Sequence, residues 1–359
     1  MSSIEVPTPA TSTVGIRSRE ARARLVMVAL VVALVLLGAL SLGAGATGVS
    51  PLLALSDLLA GRGFGDRERL VLVEIRLPRL VMGVAVGASL AVAGAIMQGL
   101  FRNPLADPGL VGVGAGASLG AITAIVLGGA TPALAWIGEA NLVPIAAFFG
   151  AWGATLLLYR LSTRGGRTSV VTMLLGGIAM AAIAGALAGL LIFVADDTQL
   201  RNLTFWSMGS LSGATWGRLA AALPVMAAAM LAIPILARGL NGLALGEAVA
   251  GHMGLPVQRI KRLSVLAAAA ATGAAVAVSG GIGFVGIVVP HLLRISTGPD
   301  HRWLLPNAAL GGAVMLVAAD IIARTFVAPA ELPIGIVTAI LGGPVFLWIL
   351  IGRAAEMEP

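Results

Sequence analysis

Apolar runs of about 20 residues recur along the whole chain, each bounded by glycine, proline or charge, and a run of that length crosses the hydrocarbon layer as one helix. Ten such runs are expected, near residues 25–44, 80–100, 109–128, 142–159, 170–195, 216–237, 263–279, 282–296, 304–323 and 334–351. The eighth is too short to span comfortably and reads as a broken or tilted helix inside the bundle, where irregular backbone is tolerated. With 58% of its 359 residues hydrophobic and 11% charged, the chain has more apolar surface than a soluble core could bury. The expectation is an all-α, polytopic membrane domain over 25–353, between a disordered cytoplasmic tail at 1–24 and a short one at 354–359. The run 25–44 exceeds the apolar stretch of a signal peptide and is read as a retained first span.

The formal charge of +7 reflects basic residues gathered between spans, because Lys and Arg cost about 2.5 to 3.5 kcal/mol each at a helix centre on insertion scales. Placing the N-terminus in the cytoplasm puts Arg17, Arg19, Arg22, Arg24, Arg102, Arg160, Arg164, Arg167, Arg238, Arg259, Lys261, Arg262, Arg294, Arg302 and Arg353 inside, a majority of the 23 basic residues. Both termini are then cytoplasmic, in the inner membrane of a bacterium. Basic and aromatic residues do not interleave, so no nucleic acid is expected as a partner; membrane lipid is.

Cysteine is absent, which removes disulfides, thiolate metal sites and cysteine nucleophiles. The three histidines, His252, His291 and His301, have no second metal-type ligand at helical spacing, so neither a metal site nor a bound cofactor is expected. The glycine-containing "RGGRTS" at 164–169 lacks the G-x-x-x-x-G-K-[ST] spacing that wraps phosphates, so ATP hydrolysis is not expected of this chain.

Small residues recur inside the spans. Gly185 and Gly189 form a GxxxG step, read as tight packing within one subunit in preference to a seam between two. "RLPRLVMGVAVGASLAVAG" from Arg76 and "RIKRLSVLAAAAATGAAVAVSG" from Arg259 echo one another with opposite membrane polarity, the pattern of an inverted repeat, although small-residue helices also resemble each other by chance. The stretch 246–262, "GEAVAGHMGLPVQRIKR", is polar, weakly amphipathic and cytoplasmic, and by its residues alone reads as an interfacial helix.

"RLPRLVMGVAVGASLAVAGAIMQGLFRNPLADPGLVGVGAGASLGA", "SGGIGFVGIVVPHLLR", "GPDHRWLLP" and "AELPIGIVTAILGGPVFLWIL" together resemble the FecCD/BtuC-type permeases, the membrane subunits of type II ABC importers, in order and spacing from about residue 25 to 353. That resemblance implies ten helices per subunit, a homodimer, two ATPase subunits using ATP and Mg on the cytoplasmic face, and a periplasmic substrate-binding protein docking outside. It makes 241–262 the coupling segment, with Gly246, Glu247, Ala248, Val249, Ala250, Gly251, His252, Met253 and Gly254 fitting a groove on the ATPase. Here Val249 and Met253, four apart, would form an apolar knob, the three glycines sharp turns, and Glu247 and His252 polar rim contacts. Arg76 and Arg79 before span two and Arg324 near the end of span nine would match outward-facing arginines that receive acidic residues of the binding protein; snorkelling, and an i,i+4 pair of Arg324 with Asp320, are the plainer alternative. Changing all three to Glu would then slow uptake and spare the fold. Thr168 and Ser169 resemble a position that narrows the exit path, and serve equally well as helix caps.

"DDTQLRNLTFWSMGSLSGATW" and "GPDHRWLLPNAAL" look closer to the haem-importing branch than to the cobalamin one, which favours haem as cargo over ferric siderophore or cobalamin. An ion-coupled secondary transporter would need ionisable groups near the bilayer midplane, whereas the charges here cluster at span ends. An intramembrane enzyme would need a catalytic constellation within the spans, such as paired aspartates or a His-Glu-x-x-His helix, and the sequence has none there. The purified chain alone is expected to hydrolyse no ATP; turnover measured without any partner subunit would contradict this reading.

Overall fold

The computed structural model describes residues 10–357 apart from 46–47, 52, 54–55, 57–59, 62 and 130–137. Its helices are α1 (Ala10–Gly43), α2 (Asp66–Phe101), α3 (Val113–Leu127), α4 (Glu139–Ser162), α5 (Val170–Phe193), α6 (Asp197–Ser207), α7 (Trp216–Leu231), α8 (Ile233–Ala244), α9 (Glu247–His252), α10 (Val257–Ser279), α11 (Val285–Thr297), α12 (His301–Thr325) and α13 (Ile334–Met357). The described strands, Thr163–Arg164 and Arg167–Thr168, form one antiparallel two-residue ladder between α4 and α5.

Among the described residues six helices are long and apolar enough to cross a membrane, and a seventh span results if α7 and α8, which meet at 46°, are taken together. Pro234 lies at the start of α8, and its missing N–H removes a rung of the ladder at that bend. Three shorter apolar helices, α3, α11 and the Ile334–Trp348 part of α13, complete an element for every run read from the sequence. The chain is an all-α polytopic membrane protein.

Two boundaries differ from expectation. Helix α1 begins at Ala10, within the expected tail 1–24, and it is tied down at Ala23 and Arg24: Ala23 is fully buried, its carbonyl accepts from Asn307 Nδ2 at 3.3 Å, and Arg24 lies 5.4 Å from the Trp303 ring centroid. Residues 1–9 lie outside the described residues. Helix α10 begins at Val257, so Arg259, Lys261 and Arg262 belong to its first turns and not to a loop.

The centre of the molecule is α2, packed against α12, α10 and α11. In its most apolar stretch 72% of residues are buried, as in α10, against 11% for α1 and 6% for α5. Glycine allows the approach: a Cβ on Gly94 would fall 1.8 Å from the Gly286 carbonyl oxygen of α11, and one on Gly87 2.3 Å from that of Gly312 on α12. Gly116 and Gly150 bring α3 and α4 together in the same way.

The link into α11 runs through irregular backbone at 280–284, tied to neighbouring segments by main-chain hydrogen bonds in and around it. Gly281 N donates to Trp206 O at 3.3 Å, Ser210 N donates to Ser279 O at 2.8 Å, and Gly335 N at the start of α13 donates to Met208 O at 2.9 Å. At the other end of α2, Arg102 takes the left-handed conformation that stops the helix, Asp107 Oδ1 accepts from Gly109 N at 2.7 Å to start the next turn, and Gln98 Nε2 donates to the Gly286 and Ile287 carbonyls at 3.3 Å each.

Gly94→Ala should lower the thermal midpoint in detergent by the equivalent of about 1 to 3 kcal/mol, the cost of overpacking a tight core. Gly153→Ala, where an added Cβ meets nothing within 4 Å, should stay within about 0.5 kcal/mol of the parent. Equal effects would refute the close-approach account of the core.

Candidate functional site

Functional residues read from the sequence gather at two opposite ends of the bundle. At one end the chain leaves α8, turns at Gly246 (φ +105°), forms α9, and turns again at Gly254 (φ +79°) before α10. Gly251 lies inside α9, so the sharp turns are made by two of the three glycines. Ala250 is fully buried and roots the short helix, while Val249 and Met253 stand 45% and 60% exposed. These two form an apolar knob on a helix whose Glu247, Ala248 and His252 are also exposed.

This projection is braced from beneath. Lys261 on α10, a buried lysine, places Nζ 2.6 Å from Glu247 Oε1 and donates to the Thr168 carbonyl at 2.8 Å. Gln258, one turn earlier on α10, accepts the Thr168 N–H through Oε1 at 2.9 Å. Glu247 is therefore engaged within the chain and is not a free rim contact. Thr168 is buried, with Oγ1 3.0 Å from Thr163 Oγ1, and Ser169 caps α5 by accepting from Thr172 N at 3.2 Å. The capping reading of Ser169 is thus realised in the geometry, and both residues sit beside the α9 projection.

A second brace joins α8 to α12. Asn241 Nδ2 donates to Asp300 Oδ1 at 2.7 Å, and Asn241 Oδ1 accepts from His301 N and from His301 Nδ1, both at 2.9 Å. Burial raises the Asp300 carboxyl, but hydrogen bonds from Arg302 and Asn241 outweigh it and hold the group below the usual carboxylate range. His301 is taken up in this brace, and among the described residues no group of three or more histidine or acidic side chains gathers to hold a metal ion.

At the opposite end Arg76, Arg79 and Arg324 do come together, but they turn inward. Arg79 pairs with Asp320 at 2.9 Å and with Glu331 at 2.8 Å, and Arg324 pairs with Asp320 at 3.3 Å one turn away on α12. Arg324 also donates to Ser41 O and Oγ at 2.7 Å each and to Ala44 O at 3.2 Å; Arg76 donates to the Leu42 and Val49 carbonyls. The open carbonyls at the C-terminus of α1 are thereby capped by two guanidiniums, a favourable placement for positive charge. Arg76 and Arg324 are thus buried within the chain, and the i,i+4 pair of Arg324 with Asp320 is formed. The triple change to Glu would set carboxylates beside Asp320 and under α1, at a cost of about 3 to 5 kcal/mol for each broken buried pair, and would not spare the fold.

Beside this end lies a cavity of about 580 Å³ lined by Asn202, Trp206, Ser210, Ser212, Arg218 and Glu331 among others. Asn202 and Trp206 belong to α6, an element missing from the sequence reading, started by a capping box of Asp196 and Gln199. The helix lies in the stretch singled out above as bearing on cargo. Lys261, Gln258, Asn241 and Asp300 were also unassigned. For Lys261 the signal was present: Val257, Lys261, Ser264, Val265 and Ala268 recur every three or four residues, which sets the lysine on the inward stripe of α10.

Residues 30–352 match the model of the FecCD transport family. The hemin transport system permease protein HmuU of Yersinia pestis is 47% identical over 284 residues, 79% of this chain and 84% of that protein. The cobalamin import system permease protein BtuC of Halobacterium salinarum is 44% identical over 81% of this chain and 76% of that one, and the vitamin B12 import system permease protein BtuC of Salmonella typhi is 42% identical over 88% and 91%. A solved structure described as an inward-facing metal-chelate type ABC transporter superposes with a TM-score of 0.80 at 29% identity, covering 92% of this chain and 99% of that one. With its glycine-packed bundle, its projecting α9 and a match over nearly its whole length, this chain belongs to the FecCD transport family.

Proposed function

We propose that the chain is the membrane permease of an ATP-driven importer that brings haem into the cytoplasm across the bacterial inner membrane. The observation that carries the reading is the α9 projection: a short rigid helix with Val249 and Met253 exposed, rooted by Ala250 and braced by Lys261, has the form of a lever that a separate ATPase can grip. On this reading ATP and Mg are bound by two ATPase subunits at the α9 end, and both termini lie on that side. The binding protein docks at the opposite end, above the Arg76, Arg79 and Arg324 cluster and the 580 Å³ cavity, where three guanidiniums against Asp320 and Glu331 leave excess positive charge to orient an acidic partner. Haem as cargo is supported by the 47% identity to a hemin permease over 84% of its length; cobalamin permeases at 44% and 42% make the corrinoid the second reading.

A second copy completes the conduit. Gly176 and Gly177 pack within the chain, against Leu158 and Leu110, but a Cβ on Gly185 or Gly189 would meet nothing within 4 Å. Among the described residues the GxxxG step therefore has no packing partner, in contrast to the expected packing within one subunit. We assign this face of α5 to the seam or pathway between two copies.

Proteoliposomes holding the permease, its ATPase and its binding protein should accumulate haem only with ATP present. Uptake driven by a proton or sodium gradient without the ATPase would reject the importer class, and ATP-dependent uptake of cobalamin but not haem would reject the cargo. Because the chain contains no cysteine, Gly189→Cys supplies a unique thiol, and mild oxidation in membranes should yield a covalent dimer. Its absence, with Gly153→Cys equally unlinked, would count against α5 at the seam.

A further inference from the structure

Thr168 marks the point where the chain leaves the α4–α5 hairpin and enters α5. Both of its main-chain polar groups are held by side chains of one helix: its N–H is accepted by Gln258 Oε1 at 2.9 Å and its carbonyl accepts from Lys261 Nζ at 2.8 Å. Gln258 and Lys261 are three apart on α10 and so share a face. The same ammonium meets Glu247 Oε1 at 2.6 Å, at the first turn of α9. One buried cation thus touches three separately folded pieces: the α9 lever, the α10 body and the hairpin leading to α5.

The energetics make this contact stiff. A buried ammonium is costly unless its partners stay in place. If α9 shifts and carries Glu247 with it, Lys261 must follow or lose a charge-assisted bond, and following disturbs its bond to the carbonyl of Thr168, a buried residue. Motion at α9 therefore reaches the start of α5 through a short chain of strong bonds, whereas Val249 and Met253 point the other way.

We propose that Lys261 is a positioning residue that clasps the α9 lever to the Thr168–Ser169 hairpin, so that displacement of α9 by the ATPase moves the entrance of α5 and opens the exit path. The inference rests on the reading of α9 as the ATPase contact and of Thr168 and Ser169 as the constriction. It also predicts an asymmetry: Lys261→Arg retains a donor and a charge and keeps the clasp, whereas the swap Glu247→Lys with Lys261→Glu does not restore it, because a carboxylate cannot donate to the Thr168 carbonyl.

The test measures haem taken up per ATP hydrolysed by the assembled complex in proteoliposomes. Lys261→Met should lower that ratio about tenfold, within the usual span of a site-to-site coupling, while Lys261→Arg stays near the parent. Loss of hydrolysis and uptake in parallel, leaving the ratio unchanged, would show a merely structural lysine and overturn the proposal. Should Lys261→Met not assemble, Glu247→Ala at an exposed position severs the α9 half alone, and an unchanged ratio there overturns the proposal equally. A separate arm, Val249→Asp with Met253→Asp, should prevent the ATPase from binding; if binding persists, the underlying reading of α9 fails, independently of the clasp.

Discussion

Backbone-to-backbone contact at glycine is the constraint on which the rest of this structure depends. Between helices surrounded by lipid there is no difference in hydrophobicity to drive association, so adhesion comes from van der Waals contact at short range. Gly94 against Gly286 and Gly87 against Gly312 let α11 and α12 lie directly on α2. Once α2 is enclosed in this way, its two ends fix the two poles of the molecule. Toward its first end it carries Arg76 to the C-terminus of α1 and Arg79 to Asp320 of α12, and at its other end Gln98 and Arg102 reach α11 and the α9 end.

Charge is handled differently at the two poles, although both bury it. At the arginine pole, Arg76, Arg79 and Arg324 share two carboxylates and the carbonyls that end α1, a dense network that holds the surrounding helices in one arrangement. At the α9 pole a single buried lysine reaches one exposed carboxylate and one carbonyl. A network with many redundant bonds resists rearrangement, whereas a contact with few bonds can move as a unit. Under the proposed function, that contrast would suit a platform for docking at one pole and a moving part at the other.

The positions of the apolar runs were legible because membrane helices must satisfy their backbone internally, which ties length and hydropathy to structure with little help from tertiary context. The shortness of the run at 282–296 was equally legible, and α11 is indeed a 13-residue helix preceded by irregular backbone. The polar stretch at 246–262 stood out for the same reason, and its Val249 and Met253 do form an exposed pair. The amphipathic helix α6 was missed, since a polar 11-residue element between spans carries no signal in hydropathy.

Sequence by itself determined the class of the protein and the order of its apolar helices, because both follow from where apolar length occurs along the chain. Tertiary structure decided what the boundary charges do. Arg76 and Arg324 cap α1, Lys261 joins three segments that are up to 93 residues apart, and Gly185 and Gly189 meet no neighbour among the described residues. Such roles depend on which groups from distant parts of the chain arrive within about 3 Å of one another, and one-dimensional spacing does not contain that information.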